Sequence, residues 1–176
     1  MQLNNNTIEE LMARFKPVLA EDLEKYKNHV YRVFLNCRLI DNNKSNEEKY
    51  ATAAVFHDIG IWTNDTIDYL HPSIEEAKKY LIETNRPEWI EEIKLMIYWH
   101  HKTGKYKGKY ETTVECFRKA DWIDVSLGLF TYGFDSKTIK ANRRLLPNKG
   151  FHWFLVKRIF KNLPRHPLKP LPMFKT

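Results

Sequence analysis

Four polar residues stand where the helical period puts apolar ones. His29 lies three residues after Tyr26 and four before Val33. Asp58 follows Ala51, Ala54 and Val55, and His100 follows Ile93, Met96 and Ile97, at helical spacings. Asp121 follows Val114 and Phe117 and precedes Val125 and Gly128. All four therefore face inward, each on its own helix. One inward histidine is ordinarily a hydrogen-bonded core residue, and one inward aspartate caps a helix or pairs with an arginine. Two of each, converging from separate helices, is how helical bundles build metal sites. His57 and Asp58 are adjacent, and neighbours on a helix do not share a face. Both serve one centre only if it lies in a crevice beside a helix end, and Gly60 is where that helix is expected to stop.

The elements that must position these residues are helical almost throughout. A capping box at Thr7–Glu10 opens a helix expected to end before Pro17, and a second runs from about Ala20 to Ile40. Capping boxes at Ser45–Glu48 and Ser73–Glu76 open helices to about Gly60 and Thr84. Pro87 suits the first turn of a helix from Glu88 to His101, and a basic loop to Lys109 precedes a long helix from Thr112 to Leu129. Phe151 to Leu163 is a short amphipathic stretch, and four prolines in the last thirteen residues exclude a helix there. No run of alternating β-branched residues suggests a strand. The expected fold is all-α, one helical domain over residues 1–135 with a C-terminal appendage, 136–176, packed on it.

Charge divides along the same line. The net charge of +7 conceals a chain whose 22 Asp/Glu all precede residue 136, while residues 136–176 hold 11 Lys/Arg and no acid. The overall charge is thus no argument that the whole chain binds nucleic acid. Cys37 and Cys116 form no CxxC pair, which excludes a disulfide framework and cysteine-based structural zinc and suits a reducing compartment. No basic flank with an apolar core opens the chain, and no apolar run approaches the ~20 residues of a membrane span. A cytoplasmic location is the expectation.

The segments carrying the inward groups are His29, then Ala54-Val55-Phe56-His57-Asp58-Ile59-Gly60, then Lys119-Ala120-Asp121. In this order they resemble the H…HD…D pattern of the HD superfamily of metal-dependent phosphohydrolases, across roughly residues 20–130. With His71 and His100 added, the order resembles the subtype that holds two metals. The resemblance implies that His29, His57, Asp58 and Asp121 hold a first divalent ion, with His57 and Asp58 as the catalytic pair. His71 and His100 then complete a second site and share Asp58. Mn, Fe, Co, Ni, Zn or Mg suits such ligands. His101 is either a half-exposed polar residue or a substrate contact. Asp124 is either a support for a ligand or a surface residue.

Such a centre supports metal-assisted hydrolysis of a small phosphorylated compound or a nucleotide. Lys102, Lys105, Arg143 and Arg144 are the cations available to a phosphate. Lys102-Thr103-Gly104 follows the histidine pair instead of Gly-Tyr-Pro, which argues against a cyclic-dinucleotide activity. The same ligand order resembles the inositol-oxygenase-like diiron enzymes, an oxidative alternative. A non-catalytic alternative is nucleic-acid or membrane binding through Phe151, Trp153, Phe154 and Phe160, interleaved with Lys157, Arg158 and Lys161.

Overall fold

The computed structural model describes residues 4–162, and among these every regular element is helical. The α-helices are α1 (Asn6–Leu19), α2 (Leu23–Ile40), α3 (Glu47–Phe56), α4 (Gly60–Thr63), α5 (Leu70–Glu83), α6 (Ile90–Trp99), α7 (Glu111–Val125), α8 (Ser136–Leu145) and α9 (Phe151–Asn162). Helix α2 packs most extensively against α7 and then α3, while α6 bridges α5 and α7. Tyr26, Val30 and Val33 of α2, Ala54 and Val55 of α3, Ile93 and Ile97 of α6, and Val114 and Phe117 of α7 are fully buried in the shared core. Helices α8 and α9 lie back against α2. The rest of the 136–176 appendage, including its prolines, lies outside the described residues.

Several boundaries depart from the sequence reading. Asn5, not Thr7, caps α1 by accepting the Ile8 N–H at 3.0 Å. The helix continues past Pro17, which stands in the last turn and forfeits one bond, while buried Phe15 and Leu19 hold that turn on the core. Asn43 replaces Ser45 as the cap ahead of α3, through a short 3-10 turn. Helix α5 begins at Leu70, so Ser73 is an interior, buried residue rather than a cap. Helix α7 ends at Val125 in a left-handed turn, with the Gly128 N–H reaching Ile123 O at 2.8 Å. Helix α8 was not expected because it is so polar that only Ile139 is buried.

Gly60 does not stop α3; it opens α4, and its role is close approach. A Cβ there would lie 2.5 Å from Tyr69 O and 2.9 Å from the Pro72 Cβ. Only glycine lets the start of α5 sit against the turn that carries His57 and Asp58.

Candidate metal centre

The turn between α3 and α4 explains how adjacent residues serve one centre. Beyond Phe56 the helical bonding tightens, and the Ile59 N–H reaches Phe56 O at 3.3 Å instead of Val55 O. Side chains from other helices satisfy the released groups. The buried Tyr26 hydroxyl of α2 donates to Val55 O at 2.7 Å, and the Gly60 N–H donates to Ser73 Oγ of α5 at 2.9 Å. His57 and Asp58 both project from this turn into the crevice between α2, α6 and α7.

Six side chains meet there. His29 Nε2 lies 2.9 Å from His57 Nε2, 3.6 Å from Asp58 Oδ2 and 3.7 Å from Asp121 Oδ1. His57 Nε2 is 3.3 Å from Asp58 Oδ2, and His100 Nε2 is 3.5 Å from Asp58 Oδ1. His101 Nδ1 lies 3.9 Å from Asp121 Oδ2. His29, His57 and Asp58 offer ligand atoms within 4.8 Å of one another, as do Asp58, His100 and His101, so Asp58 belongs to both groups.

The proton positions give the cluster its meaning. His29 Nδ1 donates to Asp124 Oδ2 at 2.7 Å, His57 Nδ1 to Ala54 O at 2.8 Å, and His100 Nδ1 to Ile97 O at 2.6 Å. Each acceptor holds the proton on Nδ1, so a neutral ring turns its Nε2 lone pair inward. Three lone pairs and two carboxylates thus converge in a space with almost no water contact. His100 Nε2, Asp58 Oδ1 and Asp121 Oδ1 are buried without a hydrogen-bond partner. Such an assembly is strongly unfavourable unless protons or a cation sit among the lone pairs. Burial raises the Asp121 carboxyl to about 7. Burial opposes ionisation of Asp58 too, but the surrounding histidines outweigh it and hold Asp58 well below the usual carboxylate range. Burial lowers the His29 pKa, yet its bonds to Asp124 and Asp58 prevail and lift it to about 9. The donor set, imidazoles that become neutral ligands once a metal displaces the His29 proton together with two carboxylates, fits a divalent metal.

A family model for the HD domain matches residues 26–126, more than half the chain. The chain belongs to the HD domain family. No curated protein and no solved structure matches it. The match spans α2 to the end of α7, the segment that carries all six side chains.

The structure distributes the sequence-predicted site residues of this HD domain unevenly. It brings His29, His57, Asp58, His100 and Asp121 together. It does not bring His71 to them: His71 is exposed on α5. Because α5 starts at Leu70, Leu70 and Ser73 face inward, and His71, about 100° around the helix from Leu70, faces solvent. His101 is found where His71 was expected. It lies beside His100 and Asp121, and the Tyr69 hydroxyl hydrogen-bonds its Nε2. None of the four cations assigned to substrate lines the cavity that Asp121 and His101 line. Lys105 is exposed and pairs with Glu111 at 3.0 Å, and Arg144 faces solvent. Lys102 is buried with its Nζ over the Tyr98 ring. Arg143 is committed to Asp124 at 2.7 Å.

Asp124 resolves as a support and Arg32 as an unexpected one. One Asp124 carboxylate accepts His29 Nδ1, Arg32 Nε at 2.6 Å, Arg32 Nη2 at 2.9 Å and Arg143 Nη1 at 2.7 Å. Burial alone would raise its pKa, but the bonds from His29 and Arg32 drive it far below the ordinary value. A carboxylate fixing a ligating imidazole in tautomer and direction is the usual outer support of a metal site. Both residues carried a faint signal: Arg32 follows His29 by three and Asp124 follows Asp121 by three, each on the inner face of its helix.

Helix α9 covers the back of the centre. Phe151 stacks on the His29 ring with centroids 4.2 Å apart, and Phe154 stacks on Trp62 at 5.1 Å. Trp153 and Phe160 of the same helix face outward. No helix among the described residues is long and apolar enough to cross a membrane.

Proposed function

We propose that this HD domain is a metal-dependent phosphohydrolase that cleaves a phosphate ester of a small molecule. The observation that carries the reading is the convergence of three inward Nε2 lone pairs on two buried carboxylates whose inner oxygens have no partner. His29, His57, Asp58 and Asp121 would hold one ion, and His100 and His101 a second, with Asp58 common to both. A divalent cation bound there acidifies water and neutralises charge on a phosphoryl oxygen. Asp124 keeps His29 in the ligating tautomer. Tyr69 orients His101, which lines the cavity together with Asp121. Phe151 and the core side of α9 keep water from the rear of His29.

The test is phosphate release from a panel of phosphate esters by full-length protein loaded in turn with Mn, Fe, Co, Ni, Zn or Mg, with and without dioxygen. Release that is metal-dependent, oxygen-independent and lost in Asp58→Ala supports hydrolysis. Oxygen consumption by the iron-loaded protein without phosphate release refutes it in favour of oxidative chemistry.

A further inference from the structure

Asp121 and His101 of the metal centre line a cavity of about 240 Å³, and its wall bears on the rest of the substrate. Its lining also includes Trp122 and Val125 near the end of α7, Leu155, Val156 and Ile159 of α9, and the polar-tipped Tyr69 and His152. The surface these residues present to the cavity is almost wholly carbon. Among the described residues the wall includes one arginine, Arg158, and that guanidinium is paired with Asp65.

We infer that the substrate is a phosphate monoester of an apolar alcohol, with its alkyl or aryl group in this cavity and its phosphoryl group at Asp121 and His101. The inference rests on the phosphohydrolase reading above and narrows its substrate. An apolar cavity of about 150 Å³ admits benzene, so about 240 Å³ accommodates a substituted ring or a medium alkyl chain. Most pockets for drug-sized ligands are larger, from about 300 Å³ upward. A nucleoside suits the wall less well. Apart from Asp121 Oδ1, Trp122 Nε1 and His152 Nδ1 are the buried unpartnered polar atoms on the described lining residues, too few for its ribose hydroxyls and base edges. Each group left unpaired weakens binding by roughly tenfold. A polyphosphate suits it no better, because the wall's arginine is already neutralised. The sequence expectation of a nucleotide is therefore narrowed to the less polar phosphate esters.

The experiment uses full-length protein and two series, n-alkyl phosphates from methyl to octyl and the corresponding n-alkyl alcohols, with a nucleoside 5′-monophosphate as comparison. Phosphate release on the metal-loaded protein should show kcat/KM rising about fourfold per methylene until the cavity is full, then levelling. The nucleotide should fall at least tenfold below the best alkyl phosphate. Calorimetric binding of the alcohols to metal-free protein should follow the same chain-length dependence. Ile159→Trp, which fills part of the cavity, should move the levelling point to a shorter chain in both series. A flat alkyl series, or a nucleotide turned over best, overturns the inference and leaves hydrolysis standing. Alcohols that bind by chain length without phosphate release from any ester uphold the apolar cavity and sink the hydrolytic reading. Alcohols that do not bind overturn the inference whatever the turnover.

Discussion

Replacing Asp124 by Asn tests the support of the metal centre with little change of shape. The side chain is fully buried and accepts from His29, Arg32 and Arg143, with contacts between 2.6 and 2.9 Å. An amide still offers one oxygen, but its NH₂ meets donors, and two guanidinium groups lose their counter-charge. Arg32 is 1% exposed and cannot turn to water, whereas Arg143 is one-fifth exposed and can relax outward. Removing one partner of a buried pair costs about 3–5 kcal/mol. For a chain of this size each kcal/mol shifts Tm by about 2–4 °C, so calorimetry should show a fall of roughly 6–20 °C. Loss of the carboxylate that orients a ligating histidine should weaken metal binding by about 10- to 100-fold, read by competition with a chromophoric chelator. The double variant Asp124→Asn, Arg32→Met separates the two effects. It removes the stranded charge and should recover part of the stability, while metal affinity stays low. A lowered Tm with wild-type metal affinity would refute the role of Asp124 in positioning His29.

Asp58→Ala should abolish metal-dependent turnover and lower metal content by elemental analysis, while far-UV circular dichroism stays helical. His71→Ala should leave metal content and turnover unchanged and Tm within about 0.5 kcal/mol equivalent, because His71 is exposed; His101→Ala should cost metal equivalents. Gly60→Ala should destabilise by about 1–3 kcal/mol in urea denaturation, since the added Cβ meets backbone at Tyr69 O 2.5 Å away. His29 supplies a pH dependence in the metal-free protein. Its folded pKa, about 9, lies above the ordinary value of 6.5, so its stabilising contribution is complete below about 6.5 and lost as pH rises through about 9. A metal must displace that proton, so apparent affinity should climb about tenfold per pH unit across the same window. Affinity independent of pH there would show that His29 is not a ligand.

Much of the centre was legible because periodicity exposes polar residues on apolar helix faces. His29, Asp58, His100 and Asp121 were found that way, and His57 followed from the expected crevice at a helix end. The Ser73–Glu76 signal placed the start of α5 too late, which put position 71 in a loop instead of on a solvent-facing first turn. The pairing of Arg143 with Asp124 and of Lys105 with Glu111 was not legible, because a cation carries no mark in the sequence of the carboxylate it meets. Helix α8 escaped notice because a helix with one buried side chain has almost no hydrophobic pattern to read.

From the order and period of its residues alone, the chain is helical and turns two carboxylates and two histidines toward its core. Which of those inward groups touch is a matter of how the helices cross. His101 rather than His71 beside Asp58 depends on where α5 seats against Gly60. Asp124 as the holder of His29 depends on α2 and α7 packing face to face. The carbon-walled cavity depends on α9 returning to the domain through Phe151 and Phe154. A residue's phase on its own helix is a local property written in the neighbouring side chains. Contacts between residues far apart in the chain, such as His29 with Asp124 at 95 positions, are set by packing, and only the folded chain contains them.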